Sequence, residues 1–194
     1  MFPLNLPNVL TVVRILLVPV LVVALLEETP NGSTVAAIVF IVAALTDGLD
    51  GWIARSRGSV TTFGKVMDPV ADKLLIAAAL ISLVSLDKLA AWVAMVIIAR
   101  EFAVSGLRIW AGAQGVVIPA SQLGRLKTAV QVVTVLALIA AGDPSDAWVQ
   151  ATVYAAVAIT VVSGVDYFLN VRRRIEEAAE RRREAGGRAH QGAS

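Results

Sequence analysis

The chain is predicted to be an all-α integral membrane protein with six transmembrane helices, a short N-terminal interfacial segment and a cytoplasmic C-terminal tail. Of its 194 residues, 57% are hydrophobic and only 16% charged, a balance foreign to soluble domains. The apolar residues fall in six blocks, each near the roughly 20 residues a helix needs to cross a hydrocarbon core about 30 Å thick. Basic residues gather on every second connection between the blocks. Cysteine is absent, which excludes a disulfide framework and a thiolate metal centre. The single histidine, His190, lies in the polar tail, so any metal falls to oxygen ligands. Nothing in the sequence calls for a nucleic-acid partner.

Met1 to Pro7 sets Phe2, Leu4 and Leu6 between prolines, which suits a stretch lying at the membrane interface. Helices are predicted near residues 8 to 26, 34 to 54, 68 to 86, 89 to 111, 122 to 141 and 147 to 171. Turn chemistry marks three breaks on one side: Glu27 to Ser33, Asp87 with Lys88, and Gly142 to Asp146. Residues 55 to 67, 111 to 121 and the tail from Arg172 lie on the other. Of the 17 Lys and Arg, only Lys88 falls in the first group. Positively charged short loops resist translocation, so both termini are predicted to be cytoplasmic and the protein multi-pass in the cell (plasma) membrane. The first hydrophobic run lacks a basic-plus-cleavage-site pattern and is read as a retained helix. Residues 1–171 thus form one membrane domain and 172–194 a tail. In that tail Arg172 to Arg183 is read as a helix laced by charge pairs three and four residues apart, and the last Gly- and Ala-rich residues are expected to be disordered.

Four carboxylates within this apolar setting need an explanation, because each costs on the order of 3 kcal/mol at a membrane helix centre. Asp47 and Asp50 share a face near the end of the second helix. Asp68 and Asp72 do the same at the start of the third. If the two helices face each other, four acids converge, and their repulsion must be offset. Pairing with Arg55, Arg57, Lys65 and Lys73 is one remedy. A divalent metal held by carboxylate oxygens is the other, and acids on both helices favour it. Gly48 and Gly51 flank Asp50, where each glycine costs up to about 1 kcal/mol relative to alanine. Such positions suit a close neighbour, either another helix or a ligand's phosphates. Arg55, one turn beyond Gly51, stands where a guanidinium meets a phosphate.

The register of these residues resembles the signature of the CDP-alcohol phosphatidyltransferases. Asp47, Asp50-Gly51, Ala54-Arg55, Gly64, Asp68 and Asp72 follow it without departure. The resemblance implies a six-helix fold, a CDP-activated lipid such as CDP-diacylglycerol as donor, and two metal ions, Mg²⁺ or Mn²⁺, at a site facing the cytoplasm. By position it makes Asp47, Asp50 and Asp68 metal ligands, and Asp72 both ligand and general base. It sets Gly51, Arg55 and Thr61 against the CDP portion, although the neighbouring Thr62 offers the same hydroxyl.

The acceptor alcohol is not written in that signature. Arg100-Glu101-Phe102, Ser105-Gly106-Leu107-Arg108 and Gly124-Arg125-Leu126-Lys127-Thr128-Ala129 are similar to the branch of the family that uses glycerol 3-phosphate, as are Pro7-Asn8, Thr11 and Arg14. A phosphorylated acceptor needs fixed cations, and Arg108, Arg125 and Lys127 are expected near the metal-bearing surface, with Arg172 able to join them. These cations also fit a purely topological role. Arg100 and Glu101 lie deeper, where an ion pair with another helix or the substrate pocket is expected. Inositol phosphate or phosphatidylglycerol are alternative acceptors, and a divalent-cation transporter is a reading from another class. Gly164 beside Ser163 fits either a homodimer contact or close packing within one subunit.

Overall fold

Helices account for all regular structure among the described residues: α1 (Leu6–Leu26), α2 (Gly32–Arg57), α3 (Thr62–Ser85), α4 (Ala91–Ala113), α5 (Gln122–Ala140) and α6 (Ala147–Gln191). The computed structural model describes residues 6–27, 31–57, 62–116 and 121–191, with the side chains at 6–7, 47–57, 62–66, 68 and 178–191 outside the described set. Asn8–Leu26, Gln122–Ala140 and Ala147–Glu177 are long and apolar enough to cross a membrane, and Gly32–Thr46 is a shorter apolar stretch.

The surface is that of a membrane protein. Leu16, Ile38, Ile81, Met95, Phe102 and Ile109 are all more than half exposed, while Asn8, Thr11, Arg14, Lys127 and Gln131 are buried. In water this distribution is costly; in lipid, apolar side chains belong outside and polar ones must find partners inside. On α4, the exposed Trp92 and Trp110 stand about 27 Å apart at 1.5 Å rise per residue, a spacing that suits two interfacial aromatic anchors.

Among the described residues, α1 packs along both α2 and α3, more extensively than these two pack against each other, and α6 packs against α4 and α5. Contacts of α2 with α5 and of α3 with α4 join the two groups. Among the described side chains, the buried positions of α1, α5 and α6 change character along the helix. At one end Leu21, Phe40, Leu80, Leu83, Ile97, Leu138 and Val149 form the apolar core. Toward the other end the buried positions become Asn8, Thr11, Arg14, Lys127, Gln131, Thr160 and Ser163. A core that turns polar along the bundle axis carries little hydrophobic stabilisation there, and in a membrane protein such residues mark function.

Two turns show how the chain reverses. After α3, Lys88 N–H donates to Leu83 O at 2.9 Å and Asp87 N–H to Val84 O at 3.1 Å, the paired bonds of a Schellman motif. Asp87 takes the left-handed position at φ 56°, which aspartate tolerates better than most residues. The same pairing ends α4, where Gly115 adopts φ 75° and Val116 N–H reaches Ala111 O. Lys88 Nζ then donates to Leu138 O and Ala141 O at 3.4 and 3.3 Å, a cation on the negative end of α5. This contact sets the α3–α4 and α5–α6 connections at the same end of the bundle, as the sequence predicted.

Three differences from the predicted elements bear on the site. α3 begins at Thr62 and runs through Pro69, so Asp68 lies well inside the helix rather than at its start. The proline, a residue enriched at the first position of helices, is here absorbed in the interior at the loss of one backbone bond. α2 reaches Arg57, so Asp47 and Asp50 are likewise interior. Finally, α6 does not stop near 171. The tail from Arg172 continues it as the expected charge-paired helix, with Arg172–Glu176 and Arg173–Glu177 forming i, i+4 pairs at 2.9 and 3.1 Å, and the backbone stays helical to Gln191, past the stretch expected to be helical. Arg172 is thereby engaged on the exposed helix and is not among the residues lining the cavity described below.

Candidate active site

The polar half of the bundle encloses a cavity of about 700 Å³ bordered by α2 to α5 and the residue that caps α5. Asp72 and Lys73 reach it from α3, Arg100, Glu101, Ser105 and Arg108 from α4, and Ser121, Arg125, Lys127 and Thr128 from the start of α5. Asp72 and all three cations expected for the acceptor therefore share one space.

Asp72 is held from α1. Arg14, fully buried, donates from Nη1 to Asp72 Oδ1 at 2.6 Å, and the Asp72 side chain is 40% exposed. A buried guanidinium is tolerated only with charge and hydrogen bonds around it. Sequence reasoning looked for the partners of the acids nearby, in Arg55, Arg57, Lys65 and Lys73. Instead Asp72 is met by a residue 58 positions away, and Lys73 donates to Pro69 O at 2.9 Å. The available signal was an arginine in the middle of an otherwise apolar first helix.

Opposite stands a charged cluster. Lys127 Nζ donates to Glu101 Oε1, and Arg100 Nη1 lies 3.6 Å from the same oxygen. Arg100 Nη2 reaches across to Ser163 Oγ on α6 at 3.1 Å. It passes close over Gly164, where an added Cβ would stand 3.2 Å from Arg100 Cγ. The small-residue pair Ser163 and Gly164 thus serves packing inside the subunit. Below the cluster, Gln131 Nε2 donates to Thr160 Oγ1 at 3.1 Å, and Thr134 Oγ1 donates to Thr152 O at 2.9 Å. The interhelical engagement expected for Arg100 and Glu101 is present. Lys127, expected near the surface as a cation for the acceptor phosphate, is buried and paired with Glu101.

Two exposed arginines border the cavity. Arg108 Nε donates to Tyr167 Oη at 3.3 Å, with the Arg108 guanidinium carbon 5.5 Å from the ring centroid. Tyr167 is buried, so a cation–π contact and a hydrogen bond aim Arg108 while a neutral partner leaves its charge uncompensated. The Arg125 side chain has no hydrogen bond or ion pair with any described residue, while its backbone N–H donates to the carbonyl of Ser121, whose side chain caps α5 by accepting from Gly124 N–H at 3.0 Å. The helix N-terminus adds positive potential there. Tyr167 and Ser121 escaped sequence reasoning, because nothing in a local pattern says that α6 and the α5 cap converge on α4.

Asp47, Asp50, Gly51 and Arg55 lie on the backbone of α2 and Asp68 on that of α3; their side chains lie outside the described set, and Thr61 lies outside the described residues. The donor set fits a hard divalent cation: four carboxylates, with no thiol or imidazole near them in sequence.

Fold, cavity and acid register together define a membrane-embedded transferase of the CDP-alcohol type. The chain matches the family profile described as CDP-alcohol phosphatidyltransferase over residues 4–162, and it belongs to that family. It is 43% identical over 180 residues to the CDP-diacylglycerol–glycerol-3-phosphate 3-phosphatidyltransferase of Bacillus subtilis (strain 168), covering 84% of this chain and 93% of the relative. A probable phosphatidylglycerophosphate synthase of Mycobacterium tuberculosis (strain ATCC 25618 / H37Rv) is 42% identical over 167 residues, with 84% of this chain and 79% of the relative covered. A CMP-forming cardiolipin synthase of Oryza sativa subsp. japonica is 38% identical over 174 residues, covering 82% of this chain and 53% of the relative.

Proposed function

We propose that the protein transfers the phosphatidyl group of CDP-diacylglycerol to glycerol 3-phosphate, releasing CMP and forming phosphatidylglycerophosphate. The observation that carries this reading is the sharing of one cavity by Asp72 and the exposed residues Arg108 and Arg125. A phosphate dianion held by those arginines leaves the far hydroxyl of a three-carbon acceptor free to approach Asp72. Asp72 accepts the proton of that hydroxyl as its oxygen bonds to the phosphorus nearer the lipid, and the bond from that phosphorus to CMP breaks.

Asp47, Asp50, Asp68 and Asp72 would hold two divalent ions, Mg²⁺ or Mn²⁺. Bound metal supplies positive charge against the pyrophosphate and the departing CMP. Gly51, Arg55 and Thr61 bind the CDP portion, Arg108 and Arg125 the acceptor phosphate, and Lys127 acts at the same pocket through Glu101. Arg14 orients Asp72. Six membrane crossings in the plasma membrane, with both termini and the site on the cytoplasmic side, fit the distribution of Lys and Arg.

Purified protein given CDP-diacylglycerol, Mg²⁺ and one acceptor at a time is expected to release CMP chiefly with glycerol 3-phosphate, and chelation is expected to stop it. The similarity to a cardiolipin synthase favours phosphatidylglycerol as the second acceptor to try. CMP release with that lipid in place of glycerol 3-phosphate would overturn the assignment of acceptor while leaving the transfer chemistry in place.

A further inference from the structure

We propose that Glu101 is a specificity-determining residue that recognises the hydroxyl of the acceptor that does not react. This inference rests on the reading of the cavity as the glycerol 3-phosphate site. Glu101 lines that cavity and is only 18% exposed. Both of its cationic contacts, from Lys127 Nζ and Arg100 Nη1, fall on Oε1, and no hydrogen bond with another described residue falls on Oε2. A carboxylate has about four lone-pair sites, so a strong acceptor is left over.

The group is also held still. Lys127 comes from α5, and Arg100 is fastened to Ser163 of α6 beside Gly164. An acceptor fixed by two other helices loses little entropy when it meets a ligand. If the pocket served only to collect a phosphate, an acid here would oppose it, since Glu101 cancels one of the cations lining the same space. The acid makes sense as the partner of a donor, and a polyol phosphate offers such donors in its hydroxyls. With the phosphate at Arg108 and Arg125 and the reacting hydroxyl at Asp72, the middle hydroxyl of glycerol 3-phosphate remains, and it donates to Glu101 Oε2. A site built around such a bond rejects the analogue that lacks the hydroxyl, because the buried carboxylate oxygen is then left without its partner.

The experiment compares glycerol 3-phosphate with 3-hydroxypropyl phosphate, which lacks only the middle hydroxyl, by CMP release from the full-length protein. For the unaltered protein, kcat/KM is expected to favour glycerol 3-phosphate by roughly 10- to 100-fold, the size of a hydrogen bond to a charged group. In Glu101→Gln this preference should shrink toward parity, mainly through the KM of glycerol 3-phosphate, with the KM of CDP-diacylglycerol unchanged. Because loss of the charge leaves Lys127 buried and unpaired, the pair Glu101→Met with Lys127→Met provides a second variant that removes both charges together. An unaltered protein that uses both substrates equally well would overturn the proposal. So would variants that slow both equally and keep the preference, a result that assigns Glu101 to structure alone. Failure to use glycerol 3-phosphate at all is a separate result that strikes the acceptor assignment of the preceding section.

Discussion

Arg14 Nη1 donates to Asp72 Oδ1 at 2.6 Å, joining a fully buried residue of α1 to the only one of the four acids whose side chain is described. A guanidinium bound to one carboxylate oxygen fixes the direction of the other. Asp72→Asn is expected to lower turnover by roughly 10²- to 10⁴-fold, the usual contribution of a general base. Arg14→Lys should retain charge but lose the planar fork, lowering kcat by about 10-fold with little change in either KM. CMP release at saturating substrates, with thermal unfolding in parallel, checks both. Turnover left intact in Asp72→Asn would show that another group accepts the proton.

Arg108 and Arg125, proposed to hold the same phosphate, differ in support. Arg125→Gln is expected to raise the KM for glycerol 3-phosphate by about 10-fold or more through loss of a charge-assisted bond, leaving that for CDP-diacylglycerol unchanged. Tyr167→Phe removes only the hydroxyl that accepts from Arg108 Nε and keeps the ring under the cation, so the rise should be about 3-fold. Equal shifts in both donor and acceptor KM would place these residues elsewhere.

Gly164 permits Arg100 to lie across α6. In Gly164→Ala the new Cβ meets Arg100 Cγ at 3.2 Å, so the arginine must give by a few tenths of an ångström. Gly164→Val is expected to cost about 1–3 kcal/mol through overpacking, with alanine intermediate. Thermal unfolding in detergent measures this, and a variant as stable as the parent would mean that Arg100 has another course open.

Asp143 offers a pH probe distant from the cavity. Its Oδ1 accepts from both Ser145 Oγ and Ser145 N–H at 2.7 Å, and these bonds hold its carboxyl below the ordinary aspartate value. A depressed folded-state value means that the stabilisation is fully present above the ordinary value and is lost as pH falls through the depressed one. Asp143→Asn keeps an oxygen acceptor that does not titrate. The variant should therefore show a weaker fall in unfolding temperature on acidification, with activity at neutral pH unchanged.

Much of the fold was legible because membrane helices are written in one-dimensional terms. Apolar blocks of sufficient length and turn residues between them placed five of the six helix starts within two residues. The exception, α3, begins at Thr62, inside the stretch 55 to 67 that was read as a connection, and carries Pro69 in its interior. The acids at Asp47, Asp50, Asp68 and Asp72 were legible for a similar reason, since carboxylates stand out against an apolar background and keep a fixed register.

By itself, then, the sequence determined the helix count, the family register and the residue types that a phosphoryl transfer at a membrane surface requires. Only the tertiary structure decided which charges meet. Sequence proximity suggested Lys73 for Asp72, whereas α1 lies along α3 and brings Arg14 there. Sequence position grouped Lys127 with Arg108 and Arg125, whereas the packing of α5 on α4 pairs it with Glu101. The physical reason is that lipid offers no partner to a buried charge, so each must be met from within the bundle. Which partner is in reach depends on how helices far apart in the chain are packed.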